Sequence, residues 1–344
     1  MGKGGDGEAA APPQGKRATL RTIAELTGFS QSTVSLSLRG GTTLKEETRR
    51  RVAEAAAQVG YVPDRAGVRL RTGKTNVLSL VLDRVDESVD FAKNLIQGIG
   101  QTIKGTRYHL NVTTGFDRNY SLESVRYILE SRAADGVILT HTSPDDPRVK
   151  LLNEAGFPFV THGRTGLAQA HPYVDFPSED FAGMAIERLA AKGCSNVLVV
   201  IGGDTTTNYR NILNGLERTA GPLGIRLEVV HHKDRAASAA MREVGRDVAR
   251  MAQRPDGIIC DNELRSICII SGLVDEGVQV GRDIRFICKQ TSDLLATLYP
   301  SIDTIAEDVL WEGAELARLL IRRIAGEPVT ALQTLSRPVP HWRD

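Results

Sequence analysis

From Asn76 onward, short apolar runs alternate with stretches of helical periodicity, and this alternation is the feature that most constrains the fold. The runs are VLSLVL (77–82), YHLNV (108–112), GVIL (136–139), FPFV (157–160), VLVVI (197–201), LEVV (227–230), GIIC (257–260) and IRFIC (284–288). Between them lie helical patterns at 92–104, 121–133, 178–192, 208–220, 237–253 and 263–276. The alternation predicts βαβ crossovers and parallel sheets, and therefore an α/β fold. Eight strands could form one sheet, but the chain is long enough for two similar lobes.

Residues 18–61 differ from this pattern, because they carry short helical patterns and no strand signal. Thr19 is expected to cap a first helix that ends at Gly28, and Ser30 is expected to cap a second helix, QSTVSLSLRG. A third helix is predicted over residues 46–59. Two helices joined by a short glycine-containing turn form a helix-turn-helix within a small all-α unit. Its predicted core residues are Leu20, Ile23, Ala24, Leu26, Val34, Leu38, Val52, Ala55, Ala56 and Val59.

The second helix of such a unit points its first residues into the DNA major groove. Gln31 and Ser32 occupy these positions, and a Gln side chain pairs naturally with adenine. Other polar side chains are expected to bond phosphate, which sets register and salt dependence rather than sequence preference. These predicted DNA contacts are Thr19, Ser30, Thr33, Ser35, Arg39, Thr48 and Arg49.

The charge distribution also favours a nucleic-acid partner. The whole chain has a formal net charge of +1, but residues 16–76 hold 12 basic and five acidic side chains. A basic segment on an otherwise slightly acidic chain is typical of DNA binding.

Other features limit the location of the protein. Residues 1–17 are rich in Gly, Ala and Pro and lack the apolar core of a signal peptide, so we expect a disordered tail and no export. No apolar run approaches the roughly 18 residues that span a bilayer. Four scattered cysteines form no disulfide framework, which favours a reducing cytoplasm.

The sequence carries no motif for a metal, a cofactor or a reaction. The pair His231-His232 has no third ligand at suitable spacing, so no metal site is predicted. IGGD at 201–204 lacks the lysine of a phosphate-binding loop, and QGIGQ at 97–101 is too weak for a dinucleotide motif. We therefore expect no cofactor and no enzyme activity.

A specific set of N-terminal positions carries a family resemblance. They are Thr19-Leu20, Ile23-Ala24, Gly28, Ser30, Thr33-Val34-Ser35, Thr48-Arg49, Val52, Gly60-Tyr61, Pro63, Arg65 and Leu70. In these positions the chain resembles the LacI/GalR family of bacterial transcription factors, and the resemblance extends more loosely over the remaining residues. It implies an effector-binding and dimerisation domain over 76–344, similar to periplasmic sugar-binding proteins, with two Rossmann-like lobes joined by three crossing strands. The first lobe would hold about 76–174 and 306–334, and the second about 175–305 and the C terminus.

The resemblance also implies how the protein binds double-stranded DNA. Two subunits of a homodimer would read a pseudo-palindromic operator, because two-fold protein symmetry requires two-fold sites. Residues 62–75 would form a hinge helix only on the operator, with Arg65 and Arg69 near phosphates. Leu70 would wedge between base pairs and kink the duplex. Ligand closing the lobes would then separate the hinge segments and release the DNA.

Residues that follow strands are the candidates for effector contact, because ligands bind at the carboxyl ends of parallel strands. Gln290 stands where the family often has a ligand-binding Asp, and Gly163 replaces the Asp that often precedes Arg164. From strand ends and the family pattern together, the predicted effector contacts are Asp90, Phe91, His141, His162, Arg164, Asn208, Tyr209, Arg210, Asp261, Asn262, Gln290, Glu307 and Trp311.

The function that the resemblance implies is that of a transcriptional repressor controlled by a small molecule, with a mono- or disaccharide as inducer. Two alternatives assume the same fold. The effector could be a purine, or the protein could be a repressor or activator that needs a corepressor. A solute-binding receptor is opposed by the basic N-terminal unit. A sugar kinase or dehydrogenase would need a nucleotide motif or a nucleophile–base pair, and neither is found in the sequence.

Overall fold

The computed structural model describes residues 18–38, 44–61, 67, 69, 72–83, 90–115, 118–202, 205–231 and 238–343. The chain divides into two compact units, Met1–Thr75 and Asn76–Asp344. The predicted tail at 1–17 lies outside the described residues, as do most of the predicted hinge and three of the predicted DNA contacts, Arg39, Arg65 and Leu70.

Three helices form the first unit: α1 (Leu20–Thr27), α2 (Gln31–Ser37) and α3 (Glu46–Gln58). The predicted caps of the first two helices are confirmed. The Thr19 hydroxyl accepts from the backbone nitrogen of Thr22 at 3.3 Å, and Gly28 ends α1 in the left-handed region at φ 73°. The Ser30 hydroxyl accepts from the backbone nitrogen of Thr33 at 3.1 Å.

The core of this unit consists of Ile23, Val34, Val52, Ala55 and Ala56. The prediction for Leu26 is wrong, since its side chain is 52% exposed. Buried helix positions recur at spacings of three, four and seven residues, so the face that begins at Leu20 continues to Thr27. Thr27 is buried, and its hydroxyl donates to the carbonyl oxygen of Ile23 at 2.7 Å.

The first lobe of the second unit contains a six-stranded, wholly parallel sheet with the order β11-β5-β4-β3-β1-β2. Its inner strands are apolar on both faces because helices cover both sides. The strands are β1 (Val77–Asp83), β2 (His109–Gly115), β3 (Gly136–Leu139), β4 (Phe159–His162), β5 (Tyr173–Asp175) and β11 (Gln333–Leu335). The helices that accompany this sheet are α4 (Phe91–Ile103), α5 (Arg118–Ser131), α6 (Pro147–Glu154) and α12 (Val309–Ile324).

The second lobe contains another six-stranded sheet, with the order β12-β10-β9-β8-β6-β7, in which only β12 is antiparallel to its neighbour. Its strands are β6 (Asn196–Ile201), β7 (Arg226–His231), β8 (Gly257–Cys260), β9 (Arg285–Gln290), β10 (Asp303–Ala306) and β12 (Val339–His341). Its helices are α7 (Ser178–Ala191), α8 (Thr207–Ala220), α9 (Ser238–Arg250), α10 (Glu263–Asp275) and α11 (Leu294–Leu298).

The sequence predicts an α/β fold with either one sheet or two lobes, and the structure has two lobes. The chain passes between the sheets three times: after β5, after β10 and after β11. These passages bring the carboxyl ends of both sets of parallel strands into one region. Among the described helices, none combines the length and the apolar character needed to cross a bilayer.

Candidate ligand cleft and nucleic-acid interface

The first turn of α2 presents Gln31 and Ser32 to solvent, and both side chains are exposed. No described residue of the first unit covers the two residues that the sequence predicts to read bases. Both belong to a helix whose start is fixed by the Ser30 cap, so their direction is set by the fold of the unit. The arrangement can place two polar side chains against base edges.

The predicted phosphate contacts that the structure describes are also accessible. Thr19 and Ser30 are exposed, although their hydroxyls also serve as helix caps. Arg49 pairs with Glu46 on the surface of α3. The remaining described members are partly exposed or exposed: Thr33, Ser35, Thr48 and Arg69.

In the second unit, a cleft opens where the strands of the two lobes end. It holds about 1040 Å³ of space free of protein atoms, part of it open to solvent. Seven of the predicted effector contacts line it: Phe91, His141, His162, Asn208, Asp261, Asn262 and Glu307. Its mixture of aromatic and polar groups suits a small polar ligand.

A buried charge cluster, formed by His162, Lys289, Glu307 and Glu312, lies at this cleft. The His162 Nε2 atom lies 2.7 Å from Glu312 Oε2 and 3.7 Å from Glu307 Oε1. Lys289 Nζ lies 2.7 Å from the other oxygen of Glu307, Oε2. His162, Lys289 and Glu307 line the cleft, while Glu312 is fully buried behind them.

The charged groups of this cluster shift one another's pKa values. Burial opposes the charge on His162, but the carboxylates of Glu312 and Glu307 outweigh it and raise the pKa of His162. Burial also opposes ionisation of Glu307, yet Lys289 and His162 outweigh it and lower the pKa of Glu307. Burial and the neighbouring Glu307 raise the pKa of Glu312.

Two further ion pairs border the cleft. Arg265 pairs with Asp261, four residues earlier, and both line the cavity. Arg164 pairs with Asp175 at the end of β5 and lies 3.2 Å from Glu179. Each pair presents fixed donors and acceptors at the edge of a polar cavity.

Hydrogen bonds also join the two lobes beside the cleft. The Asn94 side-chain nitrogen on α4 donates to the carbonyl oxygen of Thr291 at 3.0 Å. The Thr291 backbone nitrogen in turn donates to Glu263 at 3.0 Å. On the other side, the backbone nitrogen of Thr207 donates to the carbonyl oxygen of Thr142 at 2.8 Å. Residues of both lobes therefore hold the cleft walls in position.

Three of the predicted effector contacts do not line the cleft and have partners elsewhere in the protein. Asp90 pairs with Lys93 at 2.8 Å on the first turn of α4. Arg164 is engaged by its two carboxylate partners. Gln290 is buried, and its side-chain amide oxygen accepts from Thr304 Oγ1 at 2.5 Å.

The other three nominated residues that lie outside the lining belong to helices. Tyr209 packs into the core of the second lobe. Arg210, its neighbour on α8, is exposed. Trp311 lies on the first turn of α12 and is 38% exposed. A residue just after a strand end is thus placed at the cleft more reliably than one inside the following helix.

The sequence prediction missed several residues of the lining. Lys289 lies inside β9 rather than after its end, so a rule based on strand ends passes over it. Asp175 ends β5, a strand of three residues that the apolar runs do not reveal. Arg265 could have been predicted from the sequence, since it lies four residues after Asp261 and helix spacing brings such residues together. The remaining missed polar residues are Thr142, Thr206, Glu263 and Thr291.

Comparison with known families and structures accounts for both units. The profile of bacterial regulatory proteins, lacI family, matches residues 19–64, and that of the periplasmic binding protein-like domain matches residues 186–344. The chain therefore combines a LacI-family N-terminal region with a periplasmic binding protein-like domain. A relative of this chain is the HTH-type transcriptional regulator AglR of Rhizobium meliloti (strain 1021), which is 28% identical over 321 residues, or 90% of this chain and 88% of that protein.

Solved structures of LacI-family proteins have the same fold. The transcriptional regulator CelR–cellobiose complex has a TM-score of 0.69 at 23% identity, covering 95% of this chain and 99% of that one. The lac repressor dimer bound to operator and the anti-inducer ONPF has a TM-score of 0.81 at 18% identity, covering 94% of this chain and 98% of that one. The chain therefore has the fold of these proteins, with a two-lobed α/β domain and an N-terminal helical unit.

Proposed function

We propose that this protein is a sequence-specific DNA-binding transcriptional repressor whose operator affinity depends on a small carbohydrate bound in the cleft. The observation that carries the proposal is the exposure of Gln31 and Ser32 on the first turn of a capped helix, inside the segment that matches the lacI family. A regulator of this kind performs no chemical reaction, and the transcriptional regulator AglR is a relative along most of the chain.

The properties of the cleft favour a carbohydrate as the effector. It combines the phenyl ring of Phe91 with amide, carboxylate and guanidinium groups such as Asn208, Asp261 and Arg265. Such groups can hydrogen-bond adjacent hydroxyls, while the ring covers an apolar sugar face. The structurally similar CelR protein was solved as a complex with cellobiose, which supports the same ligand class for this cleft.

The DNA-bound form is proposed to be a homodimer on a pseudo-palindromic operator. Two copies of α2 would then enter successive major grooves. Arg65, Arg69 and Leu70 in the segment 62–75 stay predicted DNA contacts, with Leu70 as the wedge in the minor groove. The carbohydrate is proposed as an inducer, so it must bind the low-affinity state of the protein more tightly than the DNA-bound state.

The DNA-binding half of the proposal is tested by selecting the preferred operator from random duplexes with the purified full chain. Gln31→Ala should then weaken binding to that operator about tenfold or more, since a bidentate base contact is worth about 1–3 kcal/mol. Binding to random duplexes should stay within twofold of wild type. Gln58→Ala is the matched control, because Gln58 is an exposed glutamine at the end of α3. Equal losses of operator and random binding for Gln31→Ala would refute base reading.

The effector half is tested by measuring the thermal unfolding midpoint with mono- and disaccharides, cellobiose among them, and with nucleobases. A carbohydrate that raises the midpoint should also weaken operator binding by the full chain. A purine that raises the midpoint, with no response to carbohydrates, would replace the proposed effector. If the carbohydrate strengthens operator binding, its effect on operator affinity is opposite to the one proposed, and the carbohydrate is a corepressor.

A further inference from the structure

Three side chains of the buried charge cluster bring potential metal ligands together. His162 ends β4, Glu307 follows β10, and Glu312 lies on α12, so three separate elements supply them. One ligand atom from each residue can be chosen so that all three lie within 4.8 Å of one another. The side chains of His162, Glu307 and Glu312 are 12%, 2% and 0% exposed. Spacing along the sequence gives no sign of this set, because 150 residues separate its first and last members.

The distances within the set suit a small divalent ion. Bonds of about 2.0–2.2 Å from zinc to nitrogen or oxygen place two tetrahedral ligand atoms about 3.3–3.5 Å apart. The observed separations from His162 Nε2 are 2.7 Å to Glu312 Oε2 and 3.7 Å to Glu307 Oε1. These values lie on either side of the required distance. The hydrogen bond between His162 and Glu312 would open by about 0.6–0.8 Å, and the distance from His162 to Glu307 would close by about 0.2–0.4 Å.

A second observation concerns the buried carboxylate of Glu312. Its Oε1 atom is buried and has no hydrogen-bond partner among the described residues. A buried carboxylate oxygen without a partner loses its hydration and gains nothing in return. Coordination of a cation by this carboxylate would supply the missing interaction.

Lys289 occupies the position of a supporting group rather than of a competitor. Its ammonium contacts Oε2 of Glu307 at 2.7 Å, whereas Oε1 of the same carboxylate faces His162. Carboxylates that bind metals are commonly oriented by an outer partner, and the ion pair with Lys289 can play that part for Glu307. A bound ion would displace the proton of His162, and the four groups would then together carry one negative charge, which favours a cation.

We propose that His162, Glu307 and Glu312 form a binding site for a divalent first-row transition ion such as Zn²⁺ or Co²⁺ at the cleft wall. One imidazole and two carboxylates suit these ions better than Mg²⁺ or Ca²⁺, which prefer oxygen ligands alone. Three protein ligands leave a fourth position open. His162 and Glu307 line the cleft, so an oxygen atom of a cleft ligand can occupy it.

The test uses the full chain, stripped with a chelator and titrated with Co²⁺ alone, so it is independent of any carbohydrate or DNA. One equivalent of Co²⁺ should produce the visible absorption of a four-coordinate ion, and Zn²⁺ should displace it. His162→Gln should weaken Co²⁺ binding at least 100-fold, and the isosteric Glu312→Gln should weaken it at least 10-fold. Circular dichroism shows whether each variant is folded.

His141→Gln is the matched control, because His141 also lines the cleft but is not in the ligand set. It should bind Co²⁺ within twofold of wild type. The proposal is overturned if wild type shows no saturable Co²⁺ spectrum, or if folded His162→Gln and Glu312→Gln bind as tightly as wild type. Either result would leave the regulatory proposal intact, since operator selection and carbohydrate screening require no metal.

Discussion

The guanidinium of Arg148 lies 2.7 Å from the carboxylate of Asp146 (Nη2 to Oδ2), and both side chains are almost fully buried. Asp146 also caps α6 by accepting from the backbone nitrogen of Arg148 at 3.0 Å. Arg148 donates in addition to the carbonyl oxygen of Thr140 at 3.1 Å. Thr140 directly precedes His141 and Thr142, which line the cleft. This ion pair therefore fixes the loop that forms one cleft wall.

We expect Arg148→Met to reduce the free energy of unfolding by about 3–5 kcal/mol, because it leaves the Asp146 carboxylate buried without a counter-charge. Urea denaturation of the full chain measures the loss. Arg318→Met is the control, since Arg318 pairs with Glu315 at the surface and should contribute less than about 1 kcal/mol. Similar losses for the two variants would show that the buried pair has no special role.

The same pair predicts a loss of stability in acid. Burial alone would raise the pKa of Asp146, but the hydrogen bond and charge of Arg148 outweigh burial and hold the pKa below its ordinary value of 3.8. A carboxyl group with a lowered pKa in the folded state stabilises the protein above the unfolded-state pKa. That contribution disappears as the pH falls through the folded-state value. The free energy of unfolding should therefore fall below about pH 4, and less steeply in Asp146→Asn. An identical pH slope in the variant would contradict this assignment.

The sequence predicts the buried strands well because parallel strands covered on both faces are continuous apolar runs. GVIL and GIIC coincide with β3 and β8. β11 and β12 are not predicted by such runs, since each has three residues of which two are exposed. The helical patterns named from the sequence also omit α12, whose residues Leu316, Leu319 and Leu320 are buried at helical spacing.

The cleft could be predicted only in part, for a related reason. His141 and Asp261 follow directly after β3 and β8, so sheet geometry places them at the cleft. Contacts made by tertiary packing leave no mark on local sequence. The pairing of His162 with Glu312 depends on the passage after β10, which brings α12 behind the end of β4.

The pair of Asp261 and Arg265 at the cleft predicts a loss of ligand affinity. On the proposed function, Asp261→Asn should weaken binding of the carbohydrate found by screening by about 10–100-fold, since hydrogen bonds to charged groups are worth about 1.5–3 kcal/mol. Isothermal titration calorimetry measures the change. Asp275→Asn serves as control, because Asp275 pairs with Arg242 on the outside of the same lobe. Unchanged affinity in Asp261→Asn would remove this residue from the binding site.

Glycine determines how closely α4 and α12 approach each other. A methyl group at Gly98 would overlap the carbonyl oxygen of Leu310 and lie 2.8 Å from the backbone nitrogen of Ala314. A methyl group at Gly313 would overlap the carbonyl oxygen of Leu95 from the opposite side. These two helices carry Phe91 at the cleft and Glu312 in the buried charge cluster, so their spacing sets the geometry of both.

Gly98→Ala should therefore lower the free energy of unfolding by about 1–3 kcal/mol, because the clash is with backbone atoms that can yield only by moving a helix. Gly100→Ala lies on the same helix with no atom within 4 Å of the added methyl group. It should instead raise stability by up to about 1 kcal/mol through helix propensity. If close packing requires glycine at position 98, urea denaturation should show changes of opposite sign in the free energy of unfolding for the two variants. Equal stabilisation by both substitutions would mean that the helices can separate without cost.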